Sequence, residues 1–280
     1  MRPNIHKLLS DFVVKLRAQH YAPTSIKTYK NALTRFLTTF QKDDIEQVTT
    51  QQIQSFIHQL QTTHHISAVY QRQILASITK FYLLLYNKKI DLSAIYSKRK
   101  AKVLPKYLTI AEVKKLLQQC TNQKHECILK ILYGCGLRVS EVIALTTADI
   151  DSTAMQLIVR ARDGKIDRLL PLPIALLENL RKYCLEYDPK QYLFEGQNGG
   201  KYSVKSIQIF IKKYARDAKI KKHLTPHMLR HSYAIHQLEK GVSISYLQKM
   251  LGHHSIKTTE VYSHLTKASK SSSSSPLDLL

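Results

Sequence analysis

For its first ninety residues the chain repeats apolar positions with a helical period and shows no strand-like alternation. Leu8, Leu9, Phe12, Val13 and Leu16 share one helical face. Pro23 opens a second helix with Ile26, Tyr29, Leu33, Phe36, Leu37 and Phe40 on its apolar side. Thr49 with Gln52 forms a capping box ahead of Ile53, Phe56, Ile57 and Leu60. Ser67 caps a fourth helix striped by Ile74, Leu75, Ile78, Phe81, Tyr82 and Leu85. Four amphipathic helices with short polar loops predict a compact bundle over residues 1–87.

The pattern then changes. Residues 88–106 carry seven basic residues against one acid, with no long apolar stripe and a proline at 105, and read as a linker. A charge run usually marks a solvated segment, but one joining two basic domains can also follow a phosphate backbone, so Lys98, Arg99, Lys100, Lys102 and Lys106 are candidate backbone-phosphate contacts. A second domain is expected over 107–268. It opens with the capping box Thr109-x-x-Glu112, and a helix from about Glu126 stops at Gly134-Cys135-Gly136. Another follows Arg138, carrying Val142, Ile143 and Leu145. Met155, Leu157 and Val159 alternate like a strand, Asp163-Gly164 marks a tight turn, and Leu169-Leu170 resumes a strand. Helices return at 174–187, 203–215, 226–239 and 243–251, the last two stopped by Gly241 and Gly252. The fold class is therefore mainly α with a small antiparallel hairpin or sheet. Residues 269–280 combine a serine-rich spacer with an apolar tail, Leu277, Leu279 and Leu280, which has the form of a docking tag or of a frayed end.

Composition narrows the partner. Hydrophobic residues make up 44% of 280, enough for real cores, while 43 Lys and Arg against 20 Asp and Glu leave a net charge of +23. A globular chain this basic repels itself unless a polyanion covers it, which points to nucleic acid or an anionic membrane. The longest strongly apolar run, Phe81 to Tyr86, is far short of the roughly 20 residues of a membrane span, and residues 1–7 lack a signal-peptide stretch. Four cysteines without a Cys-x-x-Cys pair support neither a disulfide framework nor a ribbon-type zinc site. Reduced thiols in a cytoplasmic, nucleoid-associated protein are the expectation.

Candidate chemistry gathers late in the chain, where seven of the thirteen histidines lie between His223 and His264. His227 and Arg230 are three apart on the helix opened by Thr225-Pro226, so both project from one face near its positive end. Arg138 follows a Gly-x-Gly break at another helix start. Two arginines so placed would clamp one phosphate, because a guanidinium fork matches its oxygens. Each feature alone has an ordinary reading as a surface arginine or a satisfied polar group. His227 and His231, at i and i+4, have zinc-ligand spacing, but no Glu of a His-Glu-x-x-His helix or cysteine cluster completes a site. No metal is expected.

Taken in order, Leu137-Arg138-Val139-Ser140-Glu141, His227-Met228-Leu229-Arg230-His231, Leu251-Gly252-His253-His254 and then Tyr262 closely resemble the tyrosine recombinase (phage integrase) family, in particular its short Xer-like and integron-integrase-like members. The resemblance covers essentially the whole chain. Tyr21-Ala22-Pro23-Thr24 falls in the part that looks like the core-binding domain, Leu104-Pro105-Lys106-Tyr107-Leu108-Thr109 looks like the start of the catalytic domain, and Ser275-Pro276-Leu277-Asp278 looks like the C-terminal tail.

The resemblance implies a two-domain DNA clamp that performs site-specific recombination. Tyr262 is the implied nucleophile, giving a 3′-phosphotyrosine and a free 5′-hydroxyl. Arg138 and Arg230 neutralise the phosphorane, His227 takes or holds the nucleophile's proton, and His253 hydrogen-bonds a non-bridging oxygen. The family's general acid is a hairpin lysine within Gly-Lys-Gly-x-Lys-x-Arg. Here the stretch reads Arg160-Ala161-Arg162-Asp163-Gly164-Lys165-Ile166-Asp167-Arg168, a departure that leaves Lys165 as the hairpin's one lysine and Arg162 as a poor acid. Glu141 matches a position that orients the site. No cofactor is implied. The implied partners are double-stranded DNA with paired sites and three further copies of the chain, with the Leu277–Leu280 tail on a neighbour. An inactive DNA-binding relative and a type IB topoisomerase-like enzyme are the alternatives.

Overall fold

A computed structural model describes residues 4–97 and 104–269, apart from the side chains at 264 and 267–269. The chain divides into two compact units, Met1–Ala101 and Lys102–Leu280. Lys98, Arg99, Lys100 and Lys102, and the tail leucines 277, 279 and 280, lie outside the described residues.

The first unit is helical: α1 (Ile5–Ala18), α2 (Pro23–Thr39), α3 (Thr50–His64) and α4 (Ala68–Tyr86). Its helices begin where the chain offers caps. Pro23 sits at the first position of α2, the Thr49–Gln52 box closes both ways at α3, and the Ser67 side chain accepts from Tyr70 N at α4. The expected apolar stripes meet in one core, where the Phe36 ring packs edge-on against Phe56 and Tyr82. The Tyr82 hydroxyl donates to Ile45 O, so its buried oxygen is not left unpaired. The expected linker differs in its first half. Leu92 is buried in this core, Ile90 and Ile95 pack against it, and the buried Gln71 donates to Ile95 O at 2.7 Å. Three apolar residues in an otherwise polar segment are enough to hold residues 88–97 on the bundle.

The second unit runs α5 (Ile110–Gln118), α6 (Gln123–Gly134), α7 (Val139–Val142), β1 (Ile150–Asp151), β2 (Gln156–Arg160), β3 (Ile166–Pro171), α8 (Ile174–Tyr187), α9 (Val204–Asp217), α10 (Pro226–Glu239), α11 (Ile244–Leu251) and α12 (Ile256–Ser269). The sheet is antiparallel in the order β1-β2-β3, with Ile150 opposite Leu157 and Leu157 opposite Leu170. Met155, expected in the strand, sits just before it with φ +53°. The helix after Arg138 spans only Val139–Val142.

Helix α10 lies at the centre. Met228, Leu229, Arg230, Ser232, Tyr233, Ala234, Ile235 and His236 are all buried, which is why its sequence lacks a single apolar stripe. It packs against α6 and α12. Ser232 Oγ, buried on this helix, accepts from Leu108 N at 2.9 Å and pins the start of the unit to its middle.

Candidate active site

The site is built around the carboxyl end of α11. The last carbonyls of a helix have no partner within it and carry the negative end of its dipole, so cations belong there. Three consecutive carbonyls each accept from a different arginine: Met250 O from Arg168 Nε at 2.7 Å, Leu251 O from Arg230 Nη2, and Gly252 O from Arg138 Nη2 at 3.0 Å. Gly252 ends the helix with φ +61°, and a side chain there would put its Cβ 2.7 Å from Arg168 Nη1. Only glycine leaves room for that guanidinium.

Glu141 supplies the counter-charge for all three. Its carboxylate lies 2.7 Å from Arg138 Nη1, 2.9 Å from Arg168 Nη2 and 3.7 Å from Arg230 Nη1. Burial would raise its pKa, but the hydrogen bonds and charge of Arg168, with those of Arg138, hold it below the usual carboxylate range. Asp167 adds a second carboxylate on the outer side of Arg168, at 2.6 Å. Burial, then repulsion from Arg138, draws the Arg230 pKa down to about 10, so it remains a cation.

Arg230 is 3% exposed, its Nη1 also donating to Gly136 O at 2.7 Å. Gly136 has φ +63°, and a Cβ there would fall 2.3 Å from the Tyr233 ring. The Gly-x-Gly break thus lets the chain run close over α10 and turn a carbonyl onto Arg230. Arg138 is the outward member, its side chain 36% exposed. Each of its terminal nitrogens uses one N–H on the protein and keeps a second for an anion.

Tyr262, on α12, is 3% exposed and packed among Tyr233, Leu247 and Leu251. Its hydroxyl is 2.7 Å from Nδ1 of His231, not of His227. Burial raises the phenol's pKa, and the charges of Arg230 and Arg138 oppose that rise. His253 is half-buried, with Nδ1 2.9 Å from the Oγ1 of the buried Thr259, which leaves Nε2 free of protein partners among the described residues. Burial, then Arg230, Arg138 and Arg168, brings its pKa down to about 4. His227 stands exposed in the first turn of α10, its ring 6.4 Å from that of His231.

Lys165 is placed apart. It is exposed at the tip of the β2–β3 turn, and its ammonium has no partner among the described residues. Arg168, three residues on in β3, is locked into the site, which puts the tip about 10 Å away along an extended strand. Arg160 braces that turn, its Nε on the buried Asp149 at 2.7 Å and its Nη1 on Gly164 O at 3.2 Å. Arg162 and Lys106 are exposed. Among the described residues no group of three or more His, Cys, Asp or Glu is arranged to hold a metal ion, and no helix is long and apolar enough to cross a membrane.

Sequence reasoning assigned no role to Arg168, His231 or Thr259. The i, i+4 spacing of His227 and His231 was the visible signal for His231. No local pattern pairs Arg168 with Glu141, 27 residues away.

The arrangement is that of an anion site beside a buried tyrosine, on a helical unit with a small antiparallel sheet. The chain belongs to the phage integrase family: that family's model matches residues 106–269, and the N-terminal SAM-like domain of phage integrases matches residues 8–92. The expectation drawn from Arg138, His227-x-x-Arg230, His253 and Tyr262 is met. Tyrosine recombinase XerA of Pyrococcus furiosus is 32% identical over 266 residues, covering 93% of this chain and 90% of that protein. Its counterpart in Thermococcus onnurineus is 41% identical over 171 residues, spanning 59% of this chain and only 60% of the relative. The crystal structure of XerH site-specific recombinase in its post-cleavage complex with a palindromic difH substrate shares the fold at 19% identity, with a TM-score of 0.76 over 91% of this chain and 80% of that one.

Proposed function

We propose that this chain is a site-specific DNA recombinase that cuts and rejoins strands through a 3′-phosphotyrosine at Tyr262. The observation that carries the reading is the buried Tyr262 packed against Leu251, at the helix end whose Leu251 and Gly252 carbonyls hold Arg230 and Arg138. In the forward step Tyr262 Oη forms a bond to phosphorus and the P–O5′ bond breaks. The phenolic proton passes to a histidine of α10, and Lys165 protonates the departing 5′-oxygen. Arg138 and Arg230 stabilise the charge that builds on the phosphorane, His253 donates from Nε2 to a non-bridging oxygen, and the family's pattern gives the tyrosine's proton to His227. Rejoining reverses each transfer. The phosphotyrosine conserves the energy of the broken bond and the arginines carry the phosphate charge, so the chemistry calls on neither a metal ion nor ATP.

The wider reading follows the same physics. The charge of +23 supplies salt-sensitive, sequence-blind affinity for the phosphate backbone of duplex DNA. Lys98, Arg99, Lys100, Lys102 and Lys106 run along that backbone in a nucleoid-associated protein. Four copies pair two sites and exchange one pair of strands at a time through a four-way junction, with Leu277, Leu279 and Leu280 docked on a neighbour.

A direct test incubates the purified chain with fragmented DNA from its own source, strips non-covalent protein with detergent, and sequences what remains attached. Recovery of one shared sequence is the expected result. Recovery of unrelated sequences would point to a topoisomerase, and no covalently held DNA at all to a binding protein.

A further inference from the structure

We propose that His231, one helical turn beyond His227, is the base that takes the proton from Tyr262 as its oxygen attacks the phosphate. The proposal rests on the reading of Tyr262 as the nucleophile. Its foundation is geometric. The Tyr262 hydroxyl lies 2.7 Å from His231 Nδ1, a distance at which the phenol donates along a short hydrogen bond, and no other described group bonds that hydroxyl. Among the described residues His227 bonds neither the hydroxyl nor another partner through its ring nitrogens.

The contact is held from both sides. Tyr262 is packed among Tyr233, Leu247 and Leu251, which fixes the phenol on α12. His231 is half-buried on α10, the most buried helix of the unit, with its ring 5.6 Å from the tyrosine ring. Two side chains on packed helices therefore meet at the one atom that must lose a proton.

The surroundings keep His231 able to accept. The titratable and charged groups that face it are His227 and Arg230 on α10, Tyr262 on α12, and His253 at the α11–α12 turn; none is a carboxylate. Burial, then His227 and Arg230, brings the pKa of His231 down to about 4, so the ring is neutral at physiological pH. An entering phosphodiester sets a negative charge against Arg138 and Arg230, and a nearby anion favours an imidazolium. Substrate thus raises the basicity of His231 when the proton has to move. In the tautomer that serves, Nε2 holds the ring proton and Nδ1 its lone pair. The Oη–H bond breaks, the proton joins Nδ1, and the Oη–phosphorus bond replaces P–O5′. The 5′-oxygen takes its proton from a separate donor. The imidazolium returns its proton to Tyr262 when the strand is rejoined.

The test measures single-turnover formation of the covalent adduct on a nicked duplex carrying the sequence recovered from the source DNA. His231→Gln removes the base. His231→Asn keeps an acceptor oxygen near the place of Nδ1 but cannot take a proton. Both variants are expected to bind the duplex as the parent does and to form adduct about 100-fold more slowly near neutral pH. The gap should close as pH rises toward the phenol's own ionisation, where no base is needed. Three results would overturn the proposal: His231→Asn reacting at the parent rate, which makes the contact a hydrogen bond only; either variant reacting faster, which makes it a resting lock; or a gap that does not change with pH, which makes it packing. A parent chain that forms no adduct, or a Tyr262→Phe chain that still forms one, instead removes the nucleophile reading beneath it.

Discussion

The carboxylate of Glu141 and the guanidinium of Arg168 face each other across the site with two hydrogen bonds, at 2.9 and 3.2 Å, and both side chains are largely buried. Because Glu141 also holds Arg138 and Arg230, one carboxylate keeps three mutually repelling cations at the carbonyl end of α11. Removing one partner of such a buried cluster leaves charge without compensation, which costs about 3–5 kcal/mol. Glu141→Ala is therefore expected to lower the unfolding free energy of the second unit by that amount, read as a lower denaturant midpoint at unchanged slope, and to abolish adduct formation. An unchanged midpoint would show that the arginines are held by the α11 carbonyls alone.

Acid should loosen the protein earlier than carboxylate titration alone would. His125, His231 and His253 have folded-state pKa values of about 4, against 6.5 for the unperturbed imidazole. For His125 the cause is burial first, then Lys124 and Lys213, although its ring is bonded at 3.0 Å to Tyr214 and 3.1 Å to Tyr202. Between these values the unfolded chain binds more protons, so stability is full above pH 6.5 and falls as pH drops toward 4. Glu141, held below 4.5, adds its own loss only as pH falls under that value. Urea midpoints measured across this window should decline steadily, and His125→Gln should flatten part of the slope. A midpoint constant down to pH 4.5 would contradict the assignment.

Gly136→Ala tests the close approach over α10. A methyl placed 2.3 Å from the Tyr233 ring, at a φ of +63°, forces the loop or the ring to move, and overpacking of this kind costs about 1–3 kcal/mol. The same residue carries the carbonyl on Arg230, so adduct formation should drop further than the stability loss explains. Equal losses in both measurements would mean that the loop does not position the arginine.

Lys165 is tested by changing the leaving group. A general acid is worth about 100- to 10,000-fold in rate. Lys165→Ala should slow adduct formation within that range on ordinary DNA and leave it near the parent rate on DNA with sulfur in place of the bridging 5′-oxygen, since a thiolate departs without a proton. Arg162→Ala should change neither rate appreciably. A defect that persists on the sulfur substrate would remove Lys165 from the acid role.

The parts of this molecule that were legible in the sequence are those whose cause is local. The capping boxes at Thr49–Gln52 and Thr109–Glu112 form as their spacing requires, Pro23 and Pro226 begin helices, and Gly252 ends one. The family motif located Arg138, Arg230, His253 and Tyr262 because it is a pattern of order and spacing. What remained hidden depends on faces and distance. Whether His227 or His231 meets Tyr262 is decided by how α10 and α12 pack, a rotation that the i, i+4 spacing does not encode. Arg168 ends the hairpin stretch compared with the family's pattern, but nothing in its neighbourhood along the chain says that β3 carries it to Glu141 and the α11 carbonyls. Residues 88–97 read as linker because Ile90, Leu92 and Ile95 are too few to make a periodic stripe, yet each finds the bundle core.

The central claim is that one tyrosine becomes covalently joined to DNA. The measurement is mass spectrometry of the peptides left after nuclease and protease digestion of the detergent-resistant complex. The expected result is a single nucleotide-bearing peptide with the phosphate on Tyr262, a free 5′-hydroxyl at the cut, and no adduct from Tyr262→Phe, although that variant still binds the duplex. A phosphate carried by any other residue, or an adduct that survives in Tyr262→Phe, would contradict the account.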